Sequence, residues 1–175
     1  IKSIIPPLIT QGERIAKVVL FPSGKYEIEK WIYNFAPPKW RLCWYKGAQS
    51  TASAIGFSDW EMILVYGVDV YRFAHDYFFA PTERTENGHP CPKSTRWASW
   101  LIEKFTKEGD TVFDPFMGSG TTGVACMQLG RNFLGCEIDE RYFKIAQRRI
   151  SQAAAQIILP FAEPAPTLAL SQATL

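Results

Sequence analysis

Two carboxylates and three glycines carry the chemistry that is legible in this sequence. Asp114 closes a short apolar run, residues 111–113, and leads into Pro-Phe-Met-Gly-Ser-Gly-Thr-Thr-Gly, which sets glycines at positions 118, 120 and 123. Glu137 closes a second apolar run, residues 133–136, and lies 19 residues beyond Gly118. Glycine adopts backbone angles that a Cβ forbids, so a loop of this spacing can close tightly on a ligand. Helical periodicity over residues 121–129 then aims free N-terminal amides at that ligand, and Gly130 stands where the helix should stop. A carboxylate at the end of the second strand can accept both hydroxyls of an adenosine ribose. One at position 114, just ahead of the loop, suits a cationic ammonium group.

Gly118, Gly120 and Gly123 also satisfy G-x-G-x-x-G, so a dinucleotide such as NAD, and with it an oxidoreductase, is one reading of the loop. Asp114 weighs against it, because a carboxylate there repels a pyrophosphate. The loop lacks the G-K-[ST] ending of a nucleoside triphosphatase. The ligand that combines a ribose with an ammonium group is S-adenosylmethionine.

These residues need elements to hold them. Residues 111–139 read as strand, tight loop, helix, strand, which is one βαβ unit with a parallel pair. Upstream, residues 94–107 have Trp97, Trp100, Leu101 and Phe105 at the spacing of a buried helical face, with Ser94 as N-cap. Downstream, Asp139 caps a helix over residues 140–155 with Phe143, Ala146 and Ile150 inward. Earlier in the chain a helix is expected at the opening, with Pro6 and Pro7 in its first turn and Leu8, Ile9, Ile15 and Ala16 inward. Strands are expected at residues 18–21, 41–45 and 60–66, with an amphipathic helix over residues 26–35. That makes five strands in all. Residues 47–59 and 67–88 read as irregular, the second as a short target-recognition region with Arg72, Arg84, Tyr71, Phe73, Tyr77, Phe78 and Phe79 as its DNA-facing candidates. Residues 157–175, rich in Pro, Ala and small polar side chains, read as a mobile tail beyond a domain spanning residues 1–156.

Composition adds bounds. A chain of 175 residues with 47% hydrophobic and 21% charged residues is sized for one globular core. Its 19 basic and 17 acidic residues leave a net charge of +2, so any nucleic-acid contact must come from a local patch. Four cysteines without C-x-x-C spacing suit a reduced, cytoplasmic protein, with Cys126 and Cys136 expected in the core. His75, His89 and Cys91 lack the spacing of a zinc site. No apolar run is long enough to cross a membrane.

Asp-Pro-Phe-Met-Gly-Ser-Gly-Thr-Thr-Gly, then Leu-Gly-Arg-Asn-Phe-Leu-Gly-Cys-Glu-Ile-Asp, with His-Pro-Cys-Pro-Lys upstream at residues 89–93, resembles the amino-group DNA methyltransferases of bacteria and their phages. The likeness is to the permuted class, in which the cofactor motifs are C-terminal. It is strong over residues 89–150 and weaker over 18–88. The resemblance implies an α/β, Rossmann-like sheet with helices on both faces. It also implies methyl transfer from S-adenosylmethionine to the exocyclic amino group of adenine or cytosine in double-stranded DNA, as in restriction–modification systems. By the same resemblance Asp114 meets the methionine ammonium, and Phe116, Gly118, Ser119, Gly120 and Thr121 wrap the methionine part. Glu137 holds the ribose, Ile138 packs on the adenine, and His89, Pro90 and Lys93 close the pocket. Ser94 stands where many members have a further proline. The family's Asp- or Ser-Pro-Pro-Tyr motif, which holds the target base, is matched by neither Pro6–Pro7 nor Pro37–Pro38. The reading is therefore of a sheet incomplete at its N-terminus, with a gap beside the cofactor strand and a tendency to self-associate through an exposed edge. A catalytically inactive cofactor-binding module is the alternative.

Overall fold

The computed structural model describes residues 5–23, 37–47, 51–53, 56–67, 75–81 and 93–158. The expected helix over residues 26–35, the aromatic and basic candidates Tyr71, Arg72, Phe73 and Arg84, and the tail from residue 159 lie outside them, as do His89, Pro90 and Cys91.

Strand β5 (Trp60–Gly67) is the spine of the first layer. Its run of apolar residues is buried on both sides, as Ile63, Leu64, Val65 and Tyr66 show, and burial on both faces is what such unbroken runs signify. Strands β1 (Val18–Ser23) and β2 (Trp40–Tyr45) flank it, both antiparallel, and β6 (Tyr77–Phe79) extends the sheet parallel to β2. The order is β1-β5-β2-β6. On one face helix α1 (Ile5–Ile15) lies over Leu64, Tyr66, Val19, Phe21 and Met62 through Ile9. On the other, Leu42, Trp44, Ile63 and Val65 meet helix α2 (Thr95–Phe105) at Trp97, Ala98, Leu101 and Ile102. This sheet therefore has helices on both faces.

Helix α2 has two sides to bury. Its second side meets α3 (Thr121–Gln128) at Ala125 and Cys126, and Val112 and Phe133 pack against the same core. Those two belong to strands β7 (Thr111–Asp114) and β8 (Asn132–Gly135), a parallel pair in which Asp114 registers with Gly135. Helix α4 (Glu140–Ile158) packs on α3. So β7-α3-β8 is the expected βαβ unit, and α2 is the wall that joins it to the first sheet. Ser94 caps α2, its Oγ accepting the Trp97 N–H at 3.1 Å.

Several expectations need correcting. The expected strand count of five becomes eight among the described residues. A hairpin of β3 (Thr51–Ser53) and β4 (Gly56–Ser58) occupies the stretch read as irregular, and β6 lies in the other. All three have three residues each, too short to display a period of two. Phe78 is no surface candidate: it stacks on Trp100 at 5.1 Å, whereas Tyr77 and Phe79 are exposed. Ile15 is exposed, as is Ala16 beyond the end of α1, because that helix reaches the sheet mainly through Ile9. Phe143 is exposed because α4 is seated by Ala146, and Cys136 is exposed because it falls past the end of β8.

Candidate cofactor site

The two carboxylates come together because β7 and β8 run parallel and side by side, so both strand ends open at the same edge. Asp114 turns its side chain back onto the loop that follows. Its Oδ1 accepts the Phe116 N–H at 3.0 Å and its Oδ2 accepts the Thr122 hydroxyl at 2.7 Å. The carboxylate is thereby fixed in direction before it meets any ligand. Thr122 was not among the residues singled out in the sequence. Its position as the second residue of α3, in the first turn after the loop, was the available signal.

Backbone bonds lace the loop after β7 to the turn after β8. The Cys136 N–H donates to the Asp114 carbonyl and the Met117 N–H to the Cys136 carbonyl, both at 3.0 Å. Glu137 completes the lacing with its side chain: Oε2 accepts the Gly118 N–H and Oε1 the Asp139 N–H, each at 2.9 Å. Each oxygen keeps a further lone pair for a hydroxyl donor. Phe116 and Ile138 stand exposed in this loop and this turn, the second completely. Two apolar side chains beside two carboxylates make an amphipathic rim.

The turn itself needs glycine. The Gly120 N–H returns to the Met117 carbonyl at 2.8 Å, with φ of +54° at Gly118 and +81° at Gly120. A Cβ on Gly120 would lie 2.8 Å from the Ala146 Cβ and 2.9 Å from its Cα, so α4 fills the space a side chain would need. Gly120 also begins α3 without a side-chain cap, leaving the first-turn amides to whatever approaches. Ser119 and Thr121 on either side are buried.

Lys93 is placed differently from the loop residues. Its ammonium pairs with Glu61 and lies 4.8 Å from the Trp44 ring centre and 5.5 Å from that of Trp97. Lys46 reaches the other Glu61 oxygen at 3.1 Å. Burial pushes the Glu61 carboxyl up, but the charge and hydrogen bond of Lys93, then those of Lys46, outweigh it and hold it below its ordinary value. Asp139, at the start of α4, is held down at about 2, first by the Arg141 side chain and then by the Arg141 and Tyr142 amides.

Comparison with known proteins gives the chain its family. The profile of a family described as DNA methylase matches residues 23–148. The type II methyltransferase M2.DpnII of Streptococcus pneumoniae is 44% identical over 68 residues, 39% of this chain and 25% of that protein. M2.MboI of Moraxella bovis is 39% identical over 67 residues, 38% of this chain and 24% of that protein. Both matches thus span about a quarter of the curated relative. Among solved structures, the M1.HpyAVI–SAM complex superposes with a TM-score of 0.70 at 24% identity, covering 85% of this chain and 83% of that one. The cytosine-N4-specific PvuII DNA methyltransferase does so with a TM-score of 0.58 at 13% identity, covering 81% and 69%. At such identities the likeness establishes the fold.

Proposed function

As this chain belongs to the DNA methylase family, we propose that it binds S-adenosylmethionine at the β7–β8 edge and serves methyl transfer to the exocyclic amino group of adenine or cytosine in double-stranded DNA. The observation that carries the reading is the pair of carboxylates, Asp114 and Glu137, tied by the loop between them into one rigid rim. A sulfonium cofactor with an ammonium and a ribose diol asks for two acceptors of this kind, and the residues present fit it. When bound, the cofactor supplies an electrophilic methyl group. The chain's own part is to hold and orient. Asp114 accepts the ammonium, with Thr122 and the Phe116 amide preventing its rotation. Phe116, Gly118, Ser119, Gly120 and Thr121 wrap the methionine part, Glu137 accepts the ribose hydroxyls, and Ile138 covers the adenine. The family resemblance assigns closure of the pocket to His89, Pro90 and Lys93, of which Lys93 lies among the described residues. Positioning of this sort is most of what an in-line displacement requires.

The DNA substrate implies the cytoplasm, and no described helix is long and apolar enough to cross a membrane. Among the described residues β1 and β7 each have one strand neighbour, leaving edges through which a second copy can pair.

Calorimetric titration with S-adenosylhomocysteine, with NAD as the comparison, tests the cofactor. Micromolar binding of the first, abolished in Glu137→Ala, is expected. Binding of NAD in its place overturns the proposal. Transfer of a labelled methyl group to duplex DNA then separates an enzyme from a cofactor-binding module that performs no chemistry.

A further inference from the structure

Helix α4 touches the loop at two successive residues, and it uses two different devices. Ala146, fully buried, leaves room for Gly120 to sit against the helix backbone. Arg149, three residues on and therefore on the same face, reaches over to the residue before. Its Nη1 donates to the Ser119 carbonyl at 2.6 Å and to the Ser119 Oγ at 3.1 Å. Ser119 is only 6% exposed, so these are charge-assisted bonds made largely out of water, where they are strongest.

We infer that Arg149 is a positioning residue for the cofactor pocket: it holds the Ser119–Gly120 peptide, and through it the part of the loop that wraps the amino-acid end of the ligand. The inference rests on the S-adenosylmethionine reading above. The turn is held from three sides. Glu137 takes the Gly118 N–H, Met117 takes the Gly120 N–H, and Arg149 holds the carbonyl and hydroxyl of the residue between them. The first two bonds lie within the loop and turn themselves. The third anchors them to α4, a helix of 19 residues. The peptide that Arg149 holds lies in the part of the loop assigned to the amino-acid end of the ligand. Dependence on Arg149 should therefore be confined to ligands that carry the amino-acid part.

Two ligands separate this role from general support of the fold. S-adenosylhomocysteine has the amino-acid end; 5′-methylthioadenosine has the same adenosine and sulfur without it. In calorimetric titrations Arg149→Met is expected to weaken the first by roughly tenfold or more, the loss of a charge-assisted bond. The second should change by less than about twofold, since adenosine contacts lie on Glu137 and Ile138. Arg149→Lys, which keeps the charge but not the fork, should fall between Arg149→Met and the native chain. Equal weakening of both ligands, or of neither, overturns the inference. If Arg149→Met loses its circular dichroism signal, Arg149→Gln carries the same comparison, and an unchanged ratio of the two affinities overturns it there. A native chain that binds neither ligand sinks the cofactor reading itself, and the pocket role of Arg149 with it.

Discussion

Glu137 has two duties, and one substitution touches both. Its carboxylate ties the Gly118 and Asp139 amides together and, in the proposed site, also accepts the ribose. Glu137→Gln keeps a side-chain oxygen for one amide but gives the other an NH2 group, so one donor faces another. We expect a loss of about 1–3 kcal/mol in S-adenosylhomocysteine binding, measured by calorimetry, because a charged acceptor is replaced by a neutral one and an amide loses its partner. An affinity within twofold of native would remove Glu137 from the ribose contact. Asp114 was legible from its place before the glycines. The bonds from Thr122 and Phe116 that aim it were not, because they depend on how tightly the loop turns, and spacing alone does not state that.

At the level of elements, the seam between α3 and α4 is where small residues matter most. A Cβ on Gly123 would come within 2.4 Å of Ile150 Cδ1 and 2.8 Å of Phe133 Cε1. Gly123→Ala should destabilise the chain by about 1–3 kcal/mol in urea unfolding, the usual cost of overpacking, although alanine is the better helix former by about 1 kcal/mol. A stabilised variant would mean that the seam has slack. Arg131 joins two other elements. Its guanidinium donates to the Thr106 hydroxyl at 3.1 Å, the Thr106 carbonyl at 2.8 Å and the Leu129 carbonyl at 2.5 Å. Thr106 and Leu129 are the C-caps of α2 and α3, so one cation serves two helix ends whose dipoles favour it. Arg131→Met is expected to cost about 1–3 kcal/mol in the same experiment, with α2 and α3 losing protection together in amide exchange. If only one helix loosens, the bridge is not shared. Neither role was visible beforehand. The helices themselves were, because their 3.6-residue periods and the Ser94 cap are local.

For the molecule as a whole, the acid limit of stability should lie with Glu61. This carboxylate sits between the first sheet and the chain entering α2, shared by Lys46 and Lys93 over the Trp44 and Trp97 rings. Its ionisation in the fold is favoured relative to the usual 4.5. A group depressed on folding stabilises the native state above its unfolded pKa, and that contribution is lost as pH falls through the folded value. Thermal stability should therefore fall as the pH is lowered below about 4.5. Glu61→Gln, which leaves two ammonium groups facing each other, should start lower at pH 7 and show a shallower fall in acid. Identical slopes for native and variant proteins would assign the acid sensitivity to other carboxylates. The Asp139 carboxyl, held at about 2, belongs to the same class, and its share goes only under much stronger acid.

The sequence alone determined the βαβ unit, the strand ends that carry its two carboxylates and the family, because strand, glycine turn, helix and strand follow one another within 29 residues and each is encoded by its immediate neighbours. It also placed α1 and its proline-bearing first turn, α2 with its cap, and the three longer strands. Only the tertiary structure decided what lies between distant segments. The pairing of β6 with β2 joins residues more than 30 apart through strands of three residues, the capture of Lys93 by Glu61 spans 32 residues, and the reach of Arg149 to Ser119 spans 30. Such contacts leave no periodicity behind. Their partners are selected by which faces the core brings together, and here α2, buried on two sides at once, makes that selection.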